Sequence, residues 1–204
     1  MLADLPLLYV IRHGETDWNA EGRFQGSLDV PMNDKGRRQA AENGRLLRSI
    51  LADGADQFDF VSSPLSRSRE TMELIRSELA VDPTSYGVDE RLIEVSLGDW
   101  EGSTIDQLSR GDPERISLRE GAKWNFIPPG ENAESYEIMS WRIKAWLESI
   151  RRQTICVSHG GTIRVLFNVV GGLAPDQAAE VVTHQDRILK IEHGAVQWVP
   201  PVDR

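Results

Sequence analysis

The sequence predicts an α/β fold: a three-layer α/β/α sandwich with a largely parallel sheet between helices. Three observations carry this. Apolar, β-rich runs alternate with helical stretches along the chain. Two of these runs, Leu7-Leu8-Tyr9-Val10-Ile11 and Gln153 to Ser158, read as strands covered on both faces. Both stop at the same kind of cluster, Arg12-His13-Gly14 after the first and His159-Gly160-Gly161 after the second. In parallel α/β sheets that edge is where ligands bind.

After the first strand, Asp17 to Pro31 is polar and glycine-containing and reads as a loop. Asn33 then fits an N-cap, and Ala40, Gly44, Leu47 and Leu51 fall on one face of the helix that follows. Phe58 to Ser63 is a short strand. Ser63-Pro64 opens a second helix, with proline in the first turn where its missing N–H costs little. Met72, Ile75 and Leu79 form its apolar stripe, and Asp82-Pro83 breaks it. Tyr86 to Leu97 reads as a third strand plus a turn. Gly98 to Pro129 is less regular, with one short helix near Ile105 to Ser109. A long helix over about 133–150 aligns Tyr136, Met139, Ile143, Trp146 and Ile150. Helices at Thr162 to Val170 and Pro175 to Val182 follow the strand ending at Ser158. Arg187 to Glu192 and Val196 to Val199 form a hairpin around His193-Gly194.

The 204 residues, 40% of them hydrophobic, suit one domain over 1–204. A chain of this size buries roughly 70% of its unfolded surface, so a full core is available. A formal net charge of -9 argues against nucleic acid and anionic membranes as partners. No long uncharged apolar run predicts a transmembrane helix. The stretch before the first strand lacks a basic leader and a cleavage site, so it does not read as a signal peptide. The single cysteine, Cys156, excludes an internal disulfide, and the cytoplasm is the expected compartment.

Only four histidines exist, and two sit at strand ends. Taken alone, His13 could cap its strand with Arg12 solvated. In one sheet, however, the two ends would lie side by side, and Arg67 would follow the second strand in the first turn of a helix. Arg12, Arg67 and two imidazoles beside helix N-termini suit a phosphate dianion. An imidazole there can attack phosphorus, provided it is neutral, and neighbouring arginines favour the neutral form. The leaving oxygen then needs a proton. Glu94 and Glu15 are the carboxylates placed to supply it, with Asp99 and Glu101 behind them. Trp100-Glu101-Gly102 otherwise reads as turn and packing, and His184 and His193 as surface or turn residues. Cys156 invites a cysteine-phosphatase reading, with Arg164 after a glycine-rich turn. That chemistry needs the cysteine at the strand end, and Cys156 lies inside the apolar run. Zinc held by His13, His159 and Glu94 is conceivable by ligand type, but two arginines in the same pocket would repel a cation.

The stretch LYVIRHGETDWNAEGRFQGSLDVPMNDKGRRQA resembles the opening of the histidine phosphatase superfamily, the phosphoglycerate mutase-like proteins. The resemblance continues in order through SSPLSRSRETMELI, RLIEVSLGDWEG, PPGENAES and VSHGGTIRVL. It implies a mostly parallel six-stranded sheet and no metal or cofactor. It implies that His13 becomes phosphorylated and that Arg12, Arg67 and His159 complete the phosphate pocket. Asn19 would also contact phosphate, as would Gly160 beside His159. Glu94 would act as general acid and then as base for the attacking water. Pro129-Gly130-Glu131-Asn132 departs from a usual Gly-Gly-Glu-Ser, so Glu131 inherits no role.

These expectations add up to a phosphatase acting on a small phosphorylated metabolite, phosphoglycerate- or sugar-phosphate-like. A cofactor-dependent phosphoglycerate mutase is the alternative within this chemistry. There, an Arg-His-Tyr-Gly-type run would follow the acid, whereas Val95-Ser96-Leu97-Gly98 follows Glu94. A phospholigand-binding protein without catalysis is the alternative of another class. A small insertion at about 103–131 is expected to cover the substrate, with Arg110, Arg115, Arg119, Lys123, Trp124 and Phe126 as candidates to line the leaving-group side. No sequence feature sets the oligomeric state, and a homodimer stays open.

Overall fold

A computed structural model describes residues 5–200. Residues 1–4, part of the stretch expected to lack a leader, lie outside the described residues, as do 201–204. The centre is one six-stranded sheet of order β3-β2-β4-β1-β5-β6. Its strands are β1 (Leu8–Arg12), β2 (Asp59–Ser62), β3 (Gly87–Val88), β4 (Thr154–Ser158), β5 (Ile188–Glu192) and β6 (Ala195–Trp198). The β3, β2, β4 and β1 strands run parallel, β5 pairs antiparallel to β1 and β6 antiparallel to β5, so the sheet is mixed and mostly parallel.

Alternation along β1 and β4 splits the core into two layers, because successive side chains point to opposite faces. Tyr9, Ile11, Ile155 and Val157 pack with Leu47, Met72 and Ile75 from α2 (Asp34–Leu51) and α3 (Ser66–Glu78). Leu8, Val10 and Cys156 pack with Met139, Ile143, Ile163 and Leu166 from α6 (Tyr136–Leu147) and α7 (Gly160–Val169). Each fully buried Leu or Ile contributes about 1.5–3 kcal/mol, against about 0–1 kcal/mol for an exposed ion pair. The two apolar layers therefore fix the sheet, and the sheet fixes the site.

The structure corrects several boundaries. A four-residue helix, α1 (Asp17–Ala20), interrupts the expected loop; Thr16 and Asn19 form a reciprocal capping box at its start. It buries nothing, so it has no apolar period to read. Pro64 precedes α3 rather than entering its first turn, and Leu65 is the N-cap. The third strand is only two residues long. The Asp89 N–H donates to Ser62 O, and Asp89 then accepts from Arg91 N–H, which turns the chain into 3-10 geometry at Glu90–Leu92.

Segment 103–131 holds α4 (Ile105–Gly111) and a second helix, α5 (Pro113–Gly121). Asp112 caps α5 and Pro113 occupies its first position, but neither helix has a buried residue and hence an apolar stripe. Helix α6 is shorter than its apolar spacing suggests, because Ser135 caps it and it ends at Leu147. Helix α8 spans only Pro175–Ala179. Among the described residues no helix is long and apolar enough to cross a membrane.

Candidate active site

Arg12 and Ser158 are partners at the carboxyl ends of β1 and β4, and the next residue of each strand is a histidine. The two rings stand 5.1 Å apart at 58°. His13 is 2% exposed. Its Nδ1 lies 2.8 Å from Gly14 O, and a carbonyl only accepts, so Nδ1 carries the proton. That leaves the Nε2 lone pair for attack. Burial first, then the Arg67 and Arg12 cations, hold the imidazole well below the ordinary histidine value of 6.5.

His159 is fully buried at the N-cap of α7, with Nε2 2.7 Å from the Ser63 hydroxyl. With that hydroxyl donating, the proton of His159 sits on Nδ1, which has no protein partner. Burial and the same arginines also depress this imidazole.

Arg67, fully buried, donates from one terminal nitrogen to Leu28 O at 2.6 Å and from the other to Gly26 O at 2.9 Å. Arg12 donates to Thr183 O at 3.0 Å. Burial pulls the Arg12 guanidinium down to about 10, partly countered by Glu94. Among the described residues the buried side-chain nitrogens without a partner are Arg12 Nε, Arg67 Nε, His159 Nδ1 and Arg164 Nε. Leaving such a donor unpaired costs about 1–3 kcal/mol. Unpaired guanidinium nitrogens are donors that an anion can satisfy.

Both Glu94 carboxylate oxygens accept from Gly161 N–H, at 3.1 and 3.2 Å. A Cβ at position 161 would stand 2.3 Å from Glu94 Oε1, so only glycine permits this approach. Arg142, paired with Glu134 at 2.9 Å, binds the carbonyls of Arg91 and Ile93 and so holds the segment leading into Glu94.

The other carboxylates weighed for acid chemistry are engaged elsewhere or exposed. Glu15 pairs with Lys35 at 2.7 Å, Asp99 is exposed, and Glu101 bonds to Ser27. Asn19 Oδ1 accepts from Thr16 N–H and from Gln185 Nε2, which directs its own amide NH2 elsewhere. Gly160, the first residue of α7, is buried beside Thr183 and Arg12. Among the described residues no cluster of three His, Cys, Asp or Glu side chains could hold a metal ion. Cys156 is buried inside β4, and burial pushes its thiol up, away from the reactive thiolate.

Several contacts were not legible in the sequence. Thr183 grips Arg12, and Gln185 donates to both His13 O and Asn19 Oδ1, all from an irregular segment distant in sequence. Arg164 donates to the Tyr136 hydroxyl at 3.3 Å.

Of the residues expected to line a leaving-group side, Trp124 is corrected: it is 1% exposed, stands in the core and donates to Glu137. Arg110 is exposed on α4, and Arg115 pairs with Asp112 on the surface. Arg119, Lys123 and Phe126 line a small recess with Leu97 and Tyr136. There Arg119 pairs with Glu120, Lys123 pairs with Glu180, and Phe126 stacks on Trp100.

Fold and sequence together define the class. The chain belongs to the histidine phosphatase superfamily (branch 1), whose profile matches residues 8–200. It is 32% identical over 198 residues to a protein of Salmonella paratyphi C named a probable phosphoglycerate mutase, covering 94% of this chain and 87% of that one. Among solved structures, a mycobacterial glucosyl-3-phosphoglycerate phosphatase in complex with VO3 matches with a TM-score of 0.74 at 26% identity, over 95% of this chain and 96% of that one. A phosphoserine phosphatase of Entamoeba histolytica in complex with 3-phosphoglyceric acid shares the fold, with a TM-score of 0.72 at 24% identity over 96% of both chains.

Proposed function

We propose that this protein is a phosphatase that hydrolyses a small phosphomonoester through a phosphohistidine on His13. The observation that carries the reading is the buried His13 imidazole. Its Nδ1 proton is committed to Gly14 O and its Nε2 is free, among arginine and histidine donors that lack protein partners.

In the first step Nε2 attacks phosphorus while Arg12, Arg67, His159, Asn19 and Gly160 bind the phosphoryl oxygens. The bond to the leaving oxygen breaks, and Glu94, protonated, gives that oxygen its proton. In the second step Glu94 takes a proton from water, the hydroxide attacks phosphorus, and the bond to His13 breaks. Positioning and charge neutralisation supply most of the acceleration. No step calls for a metal ion.

A phosphoglycerate-like or sugar-phosphate-like substrate is supported by the likeness to the mycobacterial glucosyl-3-phosphoglycerate phosphatase. A phosphoglycerate mutase is the second reading, favoured by the name of the Salmonella relative. One assay separates them: 3-phosphoglycerate with 2,3-bisphosphoglycerate, in EDTA. Free phosphate should appear faster than 2-phosphoglycerate. Rapid isomerisation with negligible phosphate release would make the protein a mutase, and loss of activity to EDTA, restored by a divalent cation, would overturn the metal-free mechanism.

A further inference from the structure

We propose that Glu101 is a positioning residue for Arg67, the guanidinium read above as binding phosphate. Arg67 is anchored by two carbonyls, Gly26 O and Leu28 O, that flank a single residue, Ser27. Those carbonyls belong to a surface turn; Leu28 is 46% exposed, so no core packing fixes it. What fastens the turn is Glu101. Its Oε1 accepts from Ser27 N–H at 2.9 Å and from the Ser27 hydroxyl at 3.2 Å. The same oxygen accepts from Leu97 N–H at 3.0 Å, three residues beyond Glu94. One carboxylate oxygen therefore ties the turn that grips Arg67 to the segment that carries Glu94.

The local backbone is built around this contact. Gly26 has φ +53°, and a Cβ there would stand 1.9 Å from Glu101 Oε1, so both the turn and the approach require glycine. The flanking chain is joined to the Glu101 segment as well, through Phe24 N–H to Ser103 O and Gly102 N–H to Phe24 O. Glu101 also favours the Arg67 cation electrostatically, after Glu94 and Asp29. Charge-assisted hydrogen bonds are roughly twice as strong as neutral ones. Without the carboxylate, the Ser27 turn loses its anchor, and two of the five guanidinium donors lose fixed acceptors. The remaining donors then no longer point at one oxyanion position.

The test is a double-mutant cycle read as vanadate affinity, a quantity independent of turnover. Arg67→Ala should weaken vanadate binding about 100-fold, as expected for losing one partner of a buried charged contact. Glu101→Ala should weaken it about 10-fold, within the range of coupled neighbours. Glu101→Gln, which keeps an oxygen acceptor, should stay within about 3-fold of wild type. In the Arg67→Ala background, Glu101→Ala should change affinity by less than about 2-fold, because its effect passes through Arg67. If Glu101→Ala fails to fold, Glu101→Met, which keeps the bulk beside Gly26 and removes the acceptor, carries the same expectations. An undiminished loss in the Arg67→Ala background overturns the positioning role and leaves the phosphatase reading intact. Unchanged vanadate affinity in Arg67→Ala removes Arg67 from the phosphate site and overturns the positioning role with it.

Discussion

The phosphate end of the pocket and the helical segment 103–131 differ in what holds their charged side chains. Arg12, Arg67 and His13 are gripped by backbone carbonyls at Thr183, Leu28, Gly26 and Gly14. Those at Gly26 and Leu28 are in turn fastened through Ser27 to Glu101. Arg115, Arg119 and Lys123 instead pair with the side chains of Asp112, Glu120 and Glu180. Such partly exposed pairs are worth about 0–1 kcal/mol and leave both partners free to reorient. The comparison teaches a division of labour. Under the proposed function, the end that would handle the phosphoryl group is held by backbone, while segment 103–131 holds its cations through side chains that can reorient.

The largest effect expected from a single change across this divide is Glu94→Gln. Gln keeps the size and cannot deliver a proton. With an alkyl phosphate, phosphoryl transfer should slow about 10²–10⁴-fold. With p-nitrophenyl phosphate the leaving group needs little help, so the burst of nitrophenol should slow far less. Equal slowing for good and poor leaving groups would remove Glu94 as the acid.

A second expectation uses the rigid end's buried histidines. His13 and His159 are held well below 6.5 in the folded chain. Between that ordinary value and the depressed ones, the unfolded chain binds protons that the folded chain refuses. Stability therefore rises with pH in that window and is lost as pH falls below about 6.5, by as much as about 1.4 kcal/mol per pH unit for each histidine. Unfolding midpoints measured from pH 7 to 5 should fall, and the double change His13→Asn with His159→Asn should flatten the slope. An unchanged slope would mean that these rings titrate normally.

The smallest effect belongs to the soft end. Arg115→Ala removes an exposed pair on α5, so unfolding in urea should shift by no more than about 0.5 kcal/mol. Hydrolysis of p-nitrophenyl phosphate should be unaltered. A large loss of either would show that α5 braces the rigid end.

The same contrast governs what could be read from sequence. His13 and His159 were legible because each follows a continuous apolar run, while the adjacency of the two strands, which the sequence only allowed, is set by the β4-β1 order of the sheet. Glu94 was not distinguishable from Glu15 by spacing; the resemblance to the superfamily selected it, and the Lys35 pair now explains why Glu15 stands apart. Thr183 and Gln185 were invisible. They sit in an irregular segment with no periodicity, and reach Arg12 and His13 across more than 170 residues. Glu101 read as turn and packing because its three hydrogen bonds go to backbone and a serine, which leave no pattern. Helix α5 had the signals of its start, Asp112-Pro113, but without a buried face nothing extended them into a helix.

The most direct measurement is to trap the intermediate. Wild-type protein mixed with a 32P-labelled phosphomonoester and quenched in alkali should carry label that is stable to base, lost in acid, and mapped by peptide sequencing to His13. His13→Asn should carry none. Label on another residue, or rapid phosphate release with no label even in the first turnover, would contradict the account.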